Sequence, residues 1–149
     1  MCGLTLQQAD AIVQGALAKA RELRCSPMTV AVVDAGGAAI VMKREDGSGV
    51  LRPDVAFAKA WGPVGMGIGG RAMAKRAMDT PTFWAALNTI SAGRIAPVAG
   101  GVLILKEGKV VGSIGMSGDL PDNDEACAIA GAHFAGFQTE IGEAALGHQ

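Results

Sequence analysis

Residues 100–125 read GGVLILKEGKVVGSIGMSGDLPDNDE. Two apolar runs flank Lys106-Glu107-Gly108-Lys109, which reads as a tight hairpin because Gly108 tolerates the positive φ such turns need. The second run carries Gly112, Gly115 and Gly118, positions where backbone can approach a ligand or another strand closely. An acidic helix start, Asp122-Asn123-Asp124-Glu125, follows. A sheet edge, a small-residue loop and a helix N-terminus are thus expected to meet, the usual geometry of a small-molecule pocket.

Upstream, Met28–Val33 and Ala38–Lys43 form a second hairpin around Asp34-Ala35-Gly36-Gly37, with strands apolar on both faces and therefore expected to be central. Thr5 and Gln8 have capping-box spacing, and Leu6, Ala9, Val13, Ala16 and Ala20 follow at helical period, predicting a helix over residues 5–24. Pro53 suits the first turn of a helix through Phe57, Ala60 and Trp61. Gly62–Gly70, with five glycines and Pro63, is expected to break that helix into a flexible loop able to act as a lid. Arg71–Met78 reads as a short helix, and Thr80-Pro81 caps another reaching about Asn88. The last helix starts at Asp122 and places Ala126, Ile129, His133, Phe137 and Ile141 on one face. The order α-β-β-α-α-α-β-β-α, with both strand pairs as hairpins, predicts an α+β fold with an antiparallel sheet.

At 149 residues the chain reads as one domain, 1–149, able to bury roughly 70% of its unfolded surface. Half of the residues are hydrophobic, 18% are charged and mean hydropathy is +0.31, a balance that points to oligomerisation through apolar faces. A net charge of −1 without a basic run argues against nucleic acid and anionic membrane as partners. No apolar stretch is long enough to span a bilayer. Cys2, Cys25 and Cys127, odd in number and without a C-x-x-C pair, fit a reduced, cytoplasmic setting, with Cys127 a small buried residue.

Gly65–Gly70 literally matches G-x-G-x-x-G, but a helix precedes it where the dinucleotide fingerprint requires a strand. Gly115-Met116-Ser117-Gly118 lacks the last glycine of a nucleophile elbow, since Asp119 stands there. Asp119, Asp122, Asp124 and Glu125 lack EF-hand spacing and suit a helix start, Asp122 and Glu125 as a capping box, so no metal site is assigned. Lys59, between Ala58 and Ala60 and next to Trp61, either snorkels to solvent or has a packed stem and an amine aimed at a specific partner. Arg44, Arg52 and Arg71 either clamp a carboxylate or are solvated surface charges.

Three segments, VAVVDAGG (residues 30–37), DVAFAKAWG (residues 54–62) and the stretch from Gly100 to Gly131, resemble the GlcG/HbpS-like family. That family includes haem-binding and haem-degrading proteins and the C-terminal domain of some corrinoid adenosyltransferases. The resemblance covers about residues 4–140. It implies a profilin-like, PAS-like antiparallel sheet of about five strands flanked by helices, and assembly into dimers or larger rings up to octamers. Asp34, Gly36, Gly37, Arg44, Asp46, Gly47, Lys59, Ala60, Gly100, Gly101, Gly115, Ser117, Gly118 and Asp124 match its motifs. Where many haem-binding relatives have histidine after D-A-G-G this chain has Ala38; Trp61 replaces the usual threonine and Leu103 a proline. Loss of that histidine removes the obvious imidazole for iron, leaving His133, Met66 or arginine–propionate pairing to hold a haem.

The expected function is an oligomeric small-molecule-binding protein, taking haem or another tetrapyrrole, or a small anionic organic ligand. Its pocket would lie between Gly100–Asp119 and the Lys59–Trp61 helix, with Arg44, Lys59, Trp61, Met66, Arg71, Gly100, Gly101, Ser117 and Gly118 as ligand contacts. An alternative is a cofactor-independent catabolic enzyme acting on a small carboxylated or aromatic-derived metabolite. It would use Lys59 with Asp34 or Asp124 as acid/base, and Ser117 or the Gly101 amide at an oxyanion. A third is an accessory protein whose oligomeric shell matters more than its pocket.

Overall fold

The computed structural model describes residues 3–142; Cys2 and His148 lie outside them. The chain runs α1 (Leu6–Glu22), β1 (Thr29–Asp34), β2 (Ala39–Arg44), α2 (Arg52–Met66), α3 (Gly70–Asp79), α4 (Pro81–Ile90), β3 (Gly101–Lys106), β4 (Lys109–Ser117), α5 (Pro121–Phe134) and β5 (Gln138–Glu140). The five strands make one antiparallel sheet in the order β2-β1-β4-β3-β5. The expected α+β order holds through α5, and β5 is added to it. Among the described residues no helix is long and apolar enough to cross a membrane.

Strand alternation sorts the core into two layers. Val30 and Val32 of β1 pack with Ile12, Val13, Ala128 and Ala132 of α1 and α5. The intervening Ala31 and Val33 pack against Ala56 and Ala60 of α2 on the other face. β1 is buried almost throughout, whereas β2 is a largely exposed edge strand, so only one strand of the first hairpin is central. Apolar residues alone do not distinguish an edge from an interior strand.

Both ends of α1 are closed by local chemistry. The Gln8 amide donates to Thr5 Oγ1 at 3.1 Å and the Thr5 amide to Gln8 Oε1 at 2.9 Å, the expected capping box. At the other end the Cys25 amide reaches back to the Ala20 carbonyl at 2.9 Å, with Arg24 at φ 57°. Only glycine adopts that conformation freely. Arg24→Gly is therefore expected to stabilise the fold by about 0.5–1 kcal/mol net of the added freedom of the unfolded chain, read as a higher urea midpoint.

Other local expectations change. α2 continues through Gly62, Pro63 and Gly65, and the chain turns only at Gly67–Gly69. A Cβ on Gly69 would strike the Ile141 backbone and one on Gly70 the Val98 carbonyl, so this segment is packed in place rather than built as a lid. The Thr80 hydroxyl turns back to the Arg76 carbonyl and makes no cap for α4. α5 stops at Phe134; Gly136, at φ 90°, redirects the chain, so Phe137 and Ile141 are not on its apolar face. β4 is the middle strand and runs through to Ser117, so the expected sheet edge and small-residue loop are one central strand.

Candidate functional site

α2 rests on a ledge of glycines. Gly101 of β3 stands directly opposite Gly115 of β4. A Cβ on Gly101 would run into the Lys59 carbonyl, and one on Gly115 into the Ala56 carbonyl and the Ala60 amide. Pro63 has no N–H for that Lys59 carbonyl, which is left to lie against the Gly101 backbone. Backbone contact thus fills the space between these glycines and the Lys59–Trp61 helix.

At the end of this ledge Lys59, 3% exposed, places Nζ 2.8 Å from Oδ2 of the fully buried Asp124. Asp124 Oδ1 accepts the Asp119 amide at 3.0 Å. Burial pushes the Asp124 carboxyl above its ordinary range, against the pull of Lys59 and of that amide. Gly100, at φ 128°, lies alongside; a Cβ there would sit 2.8 Å from Nζ. The packed Lys59 with a specific partner is the form the protein takes, and the partner is its own carboxylate.

Arg71 of α3 continues the pattern. Its Nη2 lies 2.6 Å from Asp122 Oδ1 and 2.9 Å from Glu125 Oε1, and Nε is 3.1 Å from each Glu125 oxygen. Hydrogen bonding to Glu125 first, and to Asp122, raises the guanidinium pKa further. The first turn of α5 therefore grips α2 through Asp124 and α3 through Asp122 and Glu125. The expected capping box does not form, because both of its acids face Arg71. Asp119 is the local organiser: it accepts the Ser26 amide at 2.8 Å, the Leu120 amide at 2.8 Å and Asn123 Nδ2 at 2.7 Å. The Asn123 bond, followed by the Ser26 and Leu120 amides, holds its carboxyl down at about 2. Among the described residues no three His, Cys, Asp or Glu side chains are grouped to hold a metal.

The remaining candidates are dispersed. Ser117 Oγ, buried in β4, accepts Arg52 Nη1 at 3.0 Å. Gly118 packs on Pro27 and Met28. Arg44 donates to the Ser48 carbonyl at 2.8 Å and lines an open groove of about 490 Å³ with Arg21, Pro27, Glu45 and Asp46. Met66 lines a groove of about 300 Å³ with Arg76, Thr80, Phe83 and Trp84. Asp34 Oδ1 accepts the Gly36 and Ala38 amides at 2.9 and 3.0 Å, holding the turn between β1 and β2. His133 is exposed, its Nε2 3.5 Å from Thr139 Oγ1. Cys25 and Cys127 are buried thiols, and burial above all pushes Cys127 up to about 12. Trp61 stands beside the Asp34 turn, its Nε1 against Gly37, and the Arg94 guanidinium lies 4.1 Å above its ring. Sequence reasoning passed over Arg94; the one signal for it is Ser91-Ala92-Gly93, a helix stop that fixes where the next side chain goes.

The structure therefore unites Lys59, Asp124, Gly100 and Gly101, with Arg71 on the neighbouring helix. It sets Trp61 with the Asp34 turn, and leaves Arg44, Met66 and the Ser117–Gly118 pair in separate places.

Comparison with known proteins agrees with this architecture. The chain is 29% identical over 125 residues to an uncharacterised 15.0 kDa protein from the dhaT-dhaS intergenic region of Citrobacter freundii, covering 84% of this chain and 87% of that protein. A double mutant of HbpS from Streptomyces reticuli superposes with a TM-score of 0.78 at 33% identity, covering 89% of this chain and 87% of that one. A crystal structure of a PduOC–haem complex has a TM-score of 0.83 over 93% of this chain and 99% of that one; at 22% identity this is a likeness of fold. A family model described as haem degrading protein HbpS-like matches residues 4–133. On that match, the chain belongs to the HbpS-like family.

Proposed function

We propose that this chain is a small-molecule-binding protein whose ligand is an organic anion, and that it works as a homo-oligomer. The observation that carries the choice of binding over catalysis is the Lys59–Asp124 pair. Each group occupies the other at 2.8 Å in a site closed by Gly100 and Gly101, so neither is a free acid or base for substrate. Assembly is supported by exposed apolar side chains: Val50, Leu51, Met78, Phe83, Ile90, Leu120 and Phe134 are each more than half exposed in the single chain.

Haem is the second reading, favoured by the family description and by the haem complex of a protein of this fold. Among the described residues, none is placed to fit an imidazole-ligated haem. Ala38 stands at the turn after Asp34, His133 points to Thr139, and Met66 faces a groove of about 300 Å³ shared with Arg76 and Asp79. That volume is at the lower end of small-ligand sites.

Haemin titration followed in the visible spectrum separates the two readings. The native protein is expected to give no sharp Soret band, and Ala38→His to gain one. Thermal melts with benzoate, succinate and citrate should show a rise in Tm with at least one of them, because a ligand that binds only the folded state stabilises it. A sharp Soret band in the native protein, with no Tm rise from any carboxylate, would reverse the order of the two readings.

A further inference from the structure

Arg94 is a cation whose position is fixed at one end and open at the other. α4 ends in a turn with Ala92 at φ 58° and Gly93 at φ 78°, closed by the Gly93 amide on the Asn88 carbonyl at 2.8 Å. Alanine rarely takes that conformation, so the turn is held by its surroundings. Ser91, 5% exposed, accepts Arg94 Nε on its carbonyl at 2.7 Å. The guanidinium then lies over Trp61, whose indole is itself slotted between two glycines. A Cβ on Gly37 would come within 2.6 Å of Nε1, and one on Gly65 within 2.6 Å of the ring edge at Cζ3.

Among the described residues, Arg94 Nη1 and Nη2 have no hydrogen-bond or ion-pair partner, and neither does Trp61 Nε1. No buried side-chain nitrogen or oxygen among the described residues lacks a partner, so the unpaired indole N–H is one that solvent reaches. A held guanidinium with a free fork, next to a free N–H donor, is the donor set that recognises a carboxylate. Asp34 shares the turn with Gly37 and has Oδ1 tied to backbone amides. A single guanidinium fork suits a single anionic group rather than a polyanion.

We infer that Arg94 and Trp61 form the carboxylate-binding subsite of this protein, taking a small free carboxylic acid or a carboxylate arm of a larger ligand. This rests on the organic-anion reading above and gives it an address. Three probes distinguish the sources: benzoate, metal-free protoporphyrin IX, and protoporphyrin IX dimethyl ester. Binding is read by tryptophan fluorescence and calorimetry on the full chain.

Native protein is expected to bind benzoate or protoporphyrin IX and not the dimethyl ester. Arg94→Met should weaken that binding at least tenfold. Arg94→Lys, which keeps charge but loses the fork, and Trp61→Phe, which keeps an aromatic face but loses the N–H, should each fall in between. Arg94 is exposed, so its variants should stay folded, with at most a small drop in Tm from losing the Ser91 and Trp61 contacts. A cooperative melt separates lost binding from lost folding. Unchanged affinity in Arg94→Met overturns the subsite while leaving the binding-protein reading standing. Binding of neither acid probe overturns the subsite, and failure of haemin and of every carboxylate overturns the wider reading with it.

Discussion

Replacing Lys59 with methionine is expected to cost about 3–5 kcal/mol of folding stability, because it leaves Asp124 as a buried carboxylate without its counter-ion. Asp124 is fully buried, and its carboxyl is already pushed up by burial with Lys59 in place. The methionine keeps the apolar stem, so lost packing contributes little. The sign of the pH dependence follows. Removing Lys59 removes the partner that lowers Asp124, so its folded pKa rises further above the unfolded value of 3.8. A group raised in this way favours the folded state when protonated, and that contribution is lost as pH rises through the folded pKa. The deficit of Lys59→Met should therefore be smallest near pH 4 and largest at neutral pH. Urea denaturation at both values measures it, and an equal deficit at the two would remove the stranded carboxylate as its cause. The double variant Lys59→Met with Asp124→Leu should recover most of the loss, because replacing both partners removes two desolvation costs together.

That cost also explains what the pair does. An upward shift on Asp124 means that the ionised pair is no bargain in free energy compared with apolar packing, but it fixes a geometry. With Arg71 on Asp122 and Glu125, it ties α2 and α3 to the first turn of α5. Three of the four acids of DLPDNDE, Asp122, Asp124 and Glu125, therefore work as inter-helix clamps.

How far this was legible in the sequence differs by element. The α1 capping box, both hairpin turns and the α+β order follow from local rules, because one or two residues decide each. The Thr5 and Gln8 side chains each bond the other's backbone amide, and Glu107-Gly108 takes positive φ at both turn positions. The edge position of β2 and the central position of β4 depend on pairing over long range, which composition does not encode. Lys59 and Asp124 were both singled out, but their meeting joins residues 65 positions apart. The glycines of residues 100–118 carried the largest misreading. Sequence suggests the same thing for a glycine that admits a ligand and one that admits a helix, and here Gly101 and Gly115 admit α2. Arg94 was invisible for a related reason, since its partner Trp61 lies on another element and only the fold brings the two together.

Gly115→Ala tests the ledge directly, and it should be among the most damaging single methyl groups that can be added to this chain. No special φ is involved at Gly115, so the effect is one of space alone. The added Cβ meets the Ala56 carbonyl, the Ala60 amide and, at 2.8 Å, the Lys59 carbonyl carbon, all of them helix backbone that has no rotamer to change. Relief requires α2 to lift from the sheet, separating Ala56 and Ala60 from Ala31 and Val33 and stretching Lys59 away from Asp124. Overpacking of a core by one methyl commonly costs about 1–3 kcal/mol when side chains can adjust. With rigid backbone on both sides we expect more than about 3 kcal/mol, a large share of the ~5–15 kcal/mol that holds a domain of this size together. Gly36→Ala is the control, since its Cβ would meet only Asp34 Oδ1 at an ordinary 3.4 Å, and it should melt close to the native protein. If Gly115→Ala also melts near the native temperature, α2 does not lie in backbone contact with β4. The space between them would then be open to a ligand after all, and the glycines of residues 100–118 would return to the binding role that their sequence first suggested.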